Sequence, residues 1–326
     1  MSENEEFKNR VFGAAIIKAI NSNYNADFSG QPRTLPDGKV YATDKALKYT
    51  IKNYIKDNYE GDVFYFKKLK ETYNPMSLNE KFESTFPNDA ATKDKKIISR
   101  NLLTCRDIRL FGATYANKIK KVNVSIHGPV QINHGVNIWH ENNIFSEQIT
   151  APFGDPKKSK TQNTEIIDND SENSYDEAAM TTIGHQSKLQ EGHYLHHFSV
   201  NPKNLDEVVE LAGTDAKNLS MEDINILKEA FRKGATYYDS AAKAGTENEL
   251  LIWVELNENS KLVLPNFSQL IKMKDDKEKG LVVLDLSELK NVLSKYNNDI
   301  KKIEIFRNES SIKLENTPES CKIYNL

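Results

Sequence analysis

The side chains in this sequence that are best suited to metal or acid–base chemistry are its histidines. His193, His196 and His197 lie close together in one apolar stretch, and three more histidines occupy residues 127–140. Ligands of a metal must converge, usually with carboxylate or thiolate groups among them. In a strand, His193 and His197 would share one face while His196 would point to the other. We therefore interpret these histidines as buried or solvated strand residues, and we predict neither a metal nor a cofactor.

Sequence motifs of common enzymes are not found in this chain. It contains no GxGxxG or GxxxxGK[ST] phosphate-binding loop, and neither HExxH nor GxSxG occurs. The cysteines Cys105 and Cys321 form no CxxC pair and no metal or disulfide spacing. The most conspicuous acids lie in the polar stretch 155–177, whose composition is typical of a flexible insertion. An enzymatic function would therefore depend on looser clusters of side chains.

Positive charge is the second chemical feature, and it is concentrated in short segments of an acidic chain. The whole protein has a formal net charge of −3. Residues 93–121 nevertheless hold nine Lys and Arg against two acids, a net of +7, and residues 44–70 have a net of +3. Residues 141–178 have a net of −6. This distribution argues against a nucleic-acid binder that is basic all over, and it allows a local basic track that faces a polyanion.

Specific cationic side chains are candidates for contacts with RNA phosphates. Lys45, Lys48 and Lys52 are spaced along a predicted helix, on a stripe apart from its apolar positions, and Arg33 precedes that helix. Arg106 and Arg109 are one helical turn apart, so their guanidinium groups could both meet one backbone segment. The alternative for the two arginines is a structural ion pair with Asp107 or with the acids of the insertion.

The elements that must position these side chains follow from the apolar periodicity. Without its insertions the chain is predicted to have the order β(11–20) α(44–57) β(122–132) β(193–200) α(220–238) β(249–256). This βαββαβ order is typical of the ferredoxin-like, RRM-like split βαβ arrangement. The predicted fold class is therefore α+β, with one long insertion after the first helix and another between the central strands.

Length and composition limit the class of protein further. A chain of 326 residues corresponds to roughly two domains or one elaborated domain. No apolar run approaches the ~18 residues that a membrane span needs, which predicts no membrane partner. The acidic beginning of the chain lacks the positively charged segment of a secretory signal, so the expected location is the cytoplasm.

Three segments of the chain form a specific combination of motifs. They are Gln31-Pro-Arg-Thr-Leu-Pro-Asp-Gly38 with the following residues 41–54, Cys105-Arg-Asp-Ile-Arg-Leu-Phe-Gly-Ala-Thr-Tyr-Ala116, and Ser125-Ile-His-Gly-Pro-Val-Gln-Ile132. In sequence, order and spacing these segments resemble the CRISPR-associated Cas-seven family, the guide-RNA-binding backbone subunit of Cascade, in its type I-B (Csh-two) branch. The resemblance extends through Trp253.

The resemblance implies an RRM-like palm, a helical insertion and a protruding, thumb-like β-hairpin. The corresponding ranges are residues 1–57 and 122–132 for the first parts of the palm, 58–121 for the helical insertion, 133–192 for the thumb, and 193–326 for the rest of the palm with a terminal strand-helix-strand unit. The RNA-binding residues would be Arg33, Lys45, Lys48, Lys52, Arg106, Arg109, Gln131 and Asn133. Trp139, Phe145 and Phe153 would serve the thumb and assembly.

The function that the resemblance implies is non-catalytic. Copies of the chain would polymerise along CRISPR guide RNA, bind other Cascade subunits, and present the guide for pairing with target DNA in antiviral defence, so that base pairing reads the sequence. One alternative is an RNA endonuclease of the type III kind that uses Asp27 and a divalent metal. A second alternative is a generic RRM-like interaction module that does not assemble with itself.

Overall fold

The computed structural model describes residues 5–61, 63–154, 180–276 and 281–326, with the backbone alone at 150–154, 180–183 and 275–276. The described helices are α1 (Asp44–Asn58), α2 (Leu78–Thr85), α3 (Lys95–Thr104), α4 (Arg106–Phe111), α5 (Asp206–Ala212), α6 (Met221–Tyr237) and α7 (Ser287–Ser294). The described strands are β1 (Val11–Ser22), β2 (Tyr41–Ala42), β3 (Gly112–Asn117), β4 (Val122–His127), β5 (Val130–Ile132), β6 (Gly135–Asn137), β7 (Ile144–Gly154), β8 (Met180–Val200), β9 (Thr246–Leu256), β10 (Lys272–Asp276), β11 (Leu281–Asp285), β12 (Ile300–Arg307), β13 (Ile312–Glu315) and β14 (Cys321–Asn325).

A central sheet organises the molecule, with β1 in its middle. The sheet has the order β14-β12-β9-β1-β8-β6-β2, and β5 and β7 also pair with β8. Strand β1 pairs antiparallel with β8 on one side and with β9 on the other. A side chain at Gly13 would lie 2.2 Å from the Phe198 ring and 2.4 Å from the Ile252 carbonyl oxygen. The middle of β1 therefore needs glycine at this position.

Both faces of the central sheet are covered, which explains the almost continuous apolar sequence of β1. Alternate residues of β1 belong to two separate cores, because successive side chains of a strand point to opposite faces. Ala15 and Ile17 pack towards α1 and α6, whereas Ala14 and Ile16 pack towards α7 and the three-stranded sheet β10-β11-β13. A side chain at Gly234 of α6 would lie 3.0 Å from the Thr50 carbonyl oxygen, so this glycine allows α1 and α6 to approach closely.

The predicted mixed composition of helices and strands is confirmed, and one predicted strand is wrong. The sequence predicts a single strand of the central sheet over residues 122–132. Strand β4 instead pairs with β3 in a separate two-stranded sheet, and only β5 joins β8. The break falls at Gly128-Pro129, where a Cβ on Gly128 would lie 2.1 Å from the Phe111 backbone. This close approach and the missing N–H of proline interrupt the strand.

The hairpin β7–β8 occupies part of the predicted thumb. Its pairing runs from Ile144 opposite Leu189 to Gly154 opposite Met180, and β8 continues from the hairpin into the central sheet. Strand β6, at the beginning of the range 133–192, lies in the central sheet and pairs with β2 and β8. The polar stretch 155–177 lies outside the described residues, and the domain limits stay predictions.

Candidate nucleic-acid interface

A cleft of about 600 Å³ lies between α1 and the segment 64–81. Its lining combines positive charge with aromatic rings, and Asp44 is the one acid among the residues that line it. The cationic residues of the lining are Lys45, Lys48, Lys52, Lys67, Lys68 and Lys81, and the aromatic ones are Tyr49, Phe64, Tyr65, Phe66 and Phe111. Lysines that track a phosphate backbone and aromatic faces on which bases stack are the two components of a single-strand binding site.

Helix α1 supplies one wall of the cleft because its apolar residues point away from it. Leu47, Ile51 and Ile55 are buried against the core, as the spacing predicts. Lys45 is exposed, and Lys48 is half-buried with its Nζ 3.0 Å from Asp44 Oδ2. Helix α1 therefore presents Lys45 and Lys48 to the cleft.

Lys52 has surroundings that differ from those of the other two lysines of α1. Its side chain is buried, and its Nζ lies 3.3 Å from Asp107 Oδ2. The Asp107 carboxylate also accepts hydrogen bonds from the Phe64 and Tyr65 amides, both at 2.8 Å. Burial lowers the pKa of Lys52, and the charge of Asp107 opposes this effect. The Lys52–Asp107 pair thus holds the opposite wall of the cleft in place, and a phosphate contact of Lys52 stays a prediction.

Lys67 and Lys68, which were not predicted, add charge from the opposite wall. Both are exposed, and in the part of the chain that the structure describes no acid pairs with Lys45, Lys67 or Lys68. Their signal in the sequence was the pair of lysines directly after the aromatic run Phe64-Tyr-Phe66. Sequence periodicity missed them because these residues belong to no helix or strand.

Two tyrosines expose their rings beside these lysines. Tyr65 is 51% exposed and Tyr49 is 38% exposed. The Tyr49 ring stacks on Phe66 with the centroids 4.8 Å apart, which fixes its orientation. Burial, a hydrogen bond with Tyr238 and the nearby charges raise the pKa of Tyr49 to about 12, so its hydroxyl is neutral at pH 7. The cleft therefore offers fixed, uncharged aromatic faces.

Arg106 and Arg109 donate to a carboxylate of the protein itself. Arg109 binds Asp223 through Nε at 2.8 Å and Nη2 at 2.7 Å, and its Nη1 donates to the Leu103 and Thr104 carbonyl oxygens. Arg106 donates from Nε to Asp223 at 3.0 Å and from Nη2 to Glu222 at 2.9 Å. The two arginines fasten α4 to the beginning of α6. This geometry favours a structural role for the two arginines, and a contact with RNA stays a prediction. The predicted partner Asp107 is wrong, because its carboxylate faces Lys52 and the acids at the beginning of α6 bind the arginines instead.

The remaining predicted RNA-binding residues lie on other segments and do not line the cleft. Arg33 donates from Nε to the Ala26 carbonyl oxygen at 3.1 Å and is half-buried. Gln131 is exposed and donates to the Gly128 carbonyl oxygen at 2.8 Å. Asn133 accepts a hydrogen bond from the His197 amide at 2.7 Å. Tertiary structure therefore joins the α1 lysines in one surface, whereas these three residues lie elsewhere.

A buried histidine supports the backbone at Asn133. His196 Nδ1 donates to the Asn133 carbonyl oxygen at 3.0 Å, and its Nε2 accepts from the Tyr24 hydroxyl at 3.4 Å. Burial lowers the pKa of His196 from its ordinary value of 6.5 to about 4. This neutral tautomer fits a structural group, as the sequence predicts.

We expect His196 to make the protein sensitive to acid. Because the folded pKa is about 4 and the unfolded one is 6.5, the unfolded chain binds a proton first, and stability should fall as the pH decreases from 6.5 towards 4. The free energy of unfolding should decrease by up to ~1.4 kcal/mol per pH unit from this group. Urea denaturation of the wild type and of His196→Gln across this range measures the difference. Equal slopes for the two proteins would contradict the assignment.

The residues predicted to serve the thumb and assembly are placed differently from one another. The Trp139 ring is half-buried and packs on the buried His193 ring, with the centroids 5.2 Å apart, so it covers the central sheet. Phe145 is half-buried on β7, opposite Lys188 of β8. The side chain of Phe153 lies outside the described residues. Their roles in assembly stay predictions.

Truncation of Trp139 and of Phe145 should have different consequences. Trp139→Ala should lower the free energy of unfolding by roughly 1–3 kcal/mol, because it uncovers His193. Phe145→Ala should cost less than about 1 kcal/mol and should instead impair assembly on RNA. Chemical denaturation and sedimentation of the RNA-bound protein measure the two effects. A Phe145→Ala protein that unfolds as easily as Trp139→Ala would place Phe145 in the body of the protein.

Asp27, the candidate acid of the endonuclease alternative, is engaged in a turn. Its Oδ1 accepts hydrogen bonds from the Ser29 amide, the Ser29 hydroxyl and the Gln31 amide. The Ser29 hydroxyl contributes most to lowering the pKa of Asp27, and the two amides contribute further. Within the described ranges, no three His, Cys, Asp or Glu side chains gather as a metal site would require, and no helix there could cross a membrane.

One family model matches this chain, and two solved structures are similar to it. The family model for CRISPR-associated protein Cas7 matches residues 9–301. A chain of a CRISPR RNA-guided surveillance complex in a pre-nicking state is similar in structure, with a TM-score of 0.52 and 14% identity over 97% of this chain and 96% of that chain. A chain of another CRISPR RNA-guided surveillance complex has a TM-score of 0.46 and 15% identity over 94% and 95% of the two chains. None of the curated protein sequences matches this chain.

Proposed function

Because this chain belongs to the CRISPR-associated protein Cas7 family, we propose that it is a non-catalytic subunit that binds CRISPR guide RNA as part of the backbone of a Cascade complex. The observation that carries the proposal is the cleft beside α1, where Lys45, Lys67 and Lys68 have no acidic partner among the described residues and face exposed aromatic rings. Such a surface binds the backbone of a single strand without reading its sequence. Most guide bases then remain available to pair with target DNA.

The palm of this subunit is proposed to be RRM-like. Supporting this assignment, four consecutive strands of the sheet, β9-β1-β8-β5, are antiparallel to their neighbours. Helix α1 follows β1 and helix α6 precedes β9, and the two helices pack on the same face of the sheet. This order is that of a split βαβ unit with insertions.

Assembly is the second part of the proposed function. We infer that copies of the chain polymerise along the guide, that the β7–β8 hairpin reaches a neighbouring copy, and that other Cascade subunits bind the resulting filament in the cytoplasm. The type I-B branch of the family is the proposed subtype, from the three sequence segments that resemble it. The length of β8, which extends from the central sheet into the hairpin, supports a protruding element.

Expression together with a CRISPR array and the other subunits of the complex tests this proposal. The full chain should co-purify with one small RNA of discrete length that derives from the array. Random cellular RNA, or no RNA, would contradict the proposal. A chain that binds the RNA but stays monomeric on it would support the generic interaction module instead.

Incubation of the assembled complex with complementary RNA and magnesium separates the proposal from the endonuclease alternative. We expect no cleavage, because Asp27 Oδ1 is occupied by three hydrogen bonds of its own turn. Regularly spaced cuts that are abolished by Asp27→Ala would favour the alternative. Asp27→Asn is the matched variant, because it removes the carboxylate but keeps an acceptor oxygen for the turn. Loss of cleavage in both variants would indicate loss of the catalytic carboxylate, whereas loss in Asp27→Ala alone would indicate a disturbed loop.

A further inference from the structure

A fully exposed aromatic ring lies at the tip of the first loop after β1. Phe28 has the highest exposure of the large apolar side chains that the structure describes. No other ring packs against it among the described residues. The fold therefore gains no core from this side chain, and the whole ring is accessible to a second molecule.

The loop of residues 23–31, called here the Phe28 loop, is held rigidly at its tip. Asp27 accepts three hydrogen bonds from Ser29 and Gln31, and the Asp27 amide donates to the Gln31 carbonyl oxygen at 2.8 Å. Gly30 closes the turn at φ +83°, a conformation that suits glycine. A ring on such a turn loses little freedom on binding, because its backbone is already ordered.

The base of the Phe28 loop is attached to both elements of the proposed RNA path. Asn25 Oδ1 accepts hydrogen bonds from the Thr43 amide at 2.9 Å and from the Thr43 hydroxyl at 3.0 Å, at the beginning of α1. Asn23 Nδ2 donates to the Ser187 carbonyl oxygen of β8 at 3.1 Å, within the hairpin. The loop that carries the ring is thus anchored at the beginning of α1, two residues before Lys45, and at β8 beside the β7–β8 hairpin.

The surroundings of Phe28 distinguish between two kinds of partner. Its neighbours Asp27, Ser29 and Gln31 are polar, and Arg33 lies close enough to Asp27 to lower the pKa of that carboxyl, after the larger effect of the Ser29 hydroxyl. A docking surface for a protein would surround its anchor with further apolar side chains. A single ring within a polar loop instead matches a nucleobase, which offers a π-face above and hydrogen-bonding edges around it.

We propose that Phe28 stacks on a nucleobase of the single-stranded RNA that the chain binds. The inference rests on the proposed function and adds a defined contact to it. Lysines of α1 and of the segment 64–81 hold the phosphates, while the Phe28 ring holds one base. Because every base has a π-face, the contact tolerates any guide sequence.

RNA binding by Phe28 variants of the full chain tests the contact. The probes are a single-stranded RNA long enough for several copies and a strand of the same length made of abasic units. Phe28→Ala and Phe28→Leu should both weaken binding to the RNA by roughly 5- to 100-fold, as measured by fluorescence anisotropy. Phe28→Trp should bind as the wild type does. On the abasic strand all four proteins should have equal affinity. Ile119→Ala, which truncates another exposed apolar residue, is the matched control and should bind both strands normally.

The outcomes separate this inference from the function on which it rests. If Phe28→Leu binds RNA as well as the wild type, RNA binding needs no aromatic ring at this position, and the stacking proposal is wrong. If Phe28→Ala binds as the wild type does while charge reversal in the cleft weakens binding, the proposed function stands and the Phe28 contact fails. If the wild type does not bind RNA, the proposed function itself fails. Circular dichroism of each variant confirms that the fold is intact.

Discussion

Replacement of Asp223 by alanine should lower the free energy of unfolding by about 3–5 kcal/mol, because it leaves the buried Arg109 without a counter-charge. The Asp223 carboxylate is fully buried and binds both guanidinium groups, at 2.7–3.0 Å. It also accepts a hydrogen bond from the Ser220 amide at the beginning of α6. One side chain therefore connects α4, α6 and the cap of α6.

The same carboxylate should contribute to acid sensitivity. Burial by itself would raise the pKa of Asp223, but the hydrogen bonds and charge of Arg109, with the Ser220 amide and Arg106, hold this pKa below its ordinary value. The stabilisation is present above the pKa of an unfolded aspartate and is lost as the pH falls through the lower folded value. In Asp223→Ala the free energy of unfolding should therefore lose the part of its decrease at low pH that comes from this carboxyl.

Urea denaturation with a neighbouring variant gives the matched control for Asp223. Glu222→Ala removes the exposed partner of Arg106 on the same helix and should cost less than about 1 kcal/mol. Similar losses for Asp223→Ala and Glu222→Ala would show that the buried network contributes little.

Arg109→Lys extends the test to RNA. It should destabilise the fold, because lysine lacks the planar fork, and it should leave the RNA affinity of the folded protein unchanged. A lower RNA affinity of Arg109→Lys would indicate that Arg109 contacts a phosphate after all.

Charge reversal in the cleft should have the largest effect on RNA binding. The variant Lys45→Glu, Lys67→Glu, Lys68→Glu replaces three exposed cations by acids beside Tyr49 and Tyr65. Affinity for single-stranded RNA should fall roughly 100-fold or more. The log–log dependence on salt should become flatter by about 2, since each phosphate contact to a single strand contributes roughly 0.7 to the slope. Anisotropy titrations at several salt concentrations measure both quantities.

A second triple variant controls for net charge. Lys217→Glu, Lys295→Glu, Lys322→Glu makes the same change at three exposed lysines outside the cleft. It should bind RNA with nearly the salt slope of the wild type. An equal loss in both variants would mean that binding depends on overall charge alone, and the cleft would not be the interface. Both variants should remain folded, because exposed substitutions usually change stability by less than about 0.5 kcal/mol.

Local patterns in the sequence predict several elements correctly. The apolar run of β1, the spacing of Leu47, Ile51 and Ile55 in α1, and the Ser220 capping box of α6 all correspond to observed elements. These features depend on neighbouring residues and on burial of one face, so periodicity is sufficient to find them. The same helical spacing places Lys45 off the apolar face of α1 and so predicts that it is exposed.

The cleft itself depends on contacts that no local pattern contains. Lys52 has the same spacing as Lys45 and Lys48, yet it is buried because Asp107 and the segment 63–66 fold against it. The same folding brings Lys67 and Lys68 opposite α1. Helical spacing describes which side of a helix a residue occupies, and it does not describe what covers that side.

The sequence by itself determined the family, the alternation of helices and strands, and the presence of cations along α1. Only the tertiary structure decided which cations remain without an acidic partner. Arg106 and Arg109 match the pattern of phosphate ligands, but Asp223, more than one hundred residues away in the sequence, binds both of them. The physical reason is that a charge is neutralised by whichever opposite charge the fold brings within a few ångströms, irrespective of their separation along the chain.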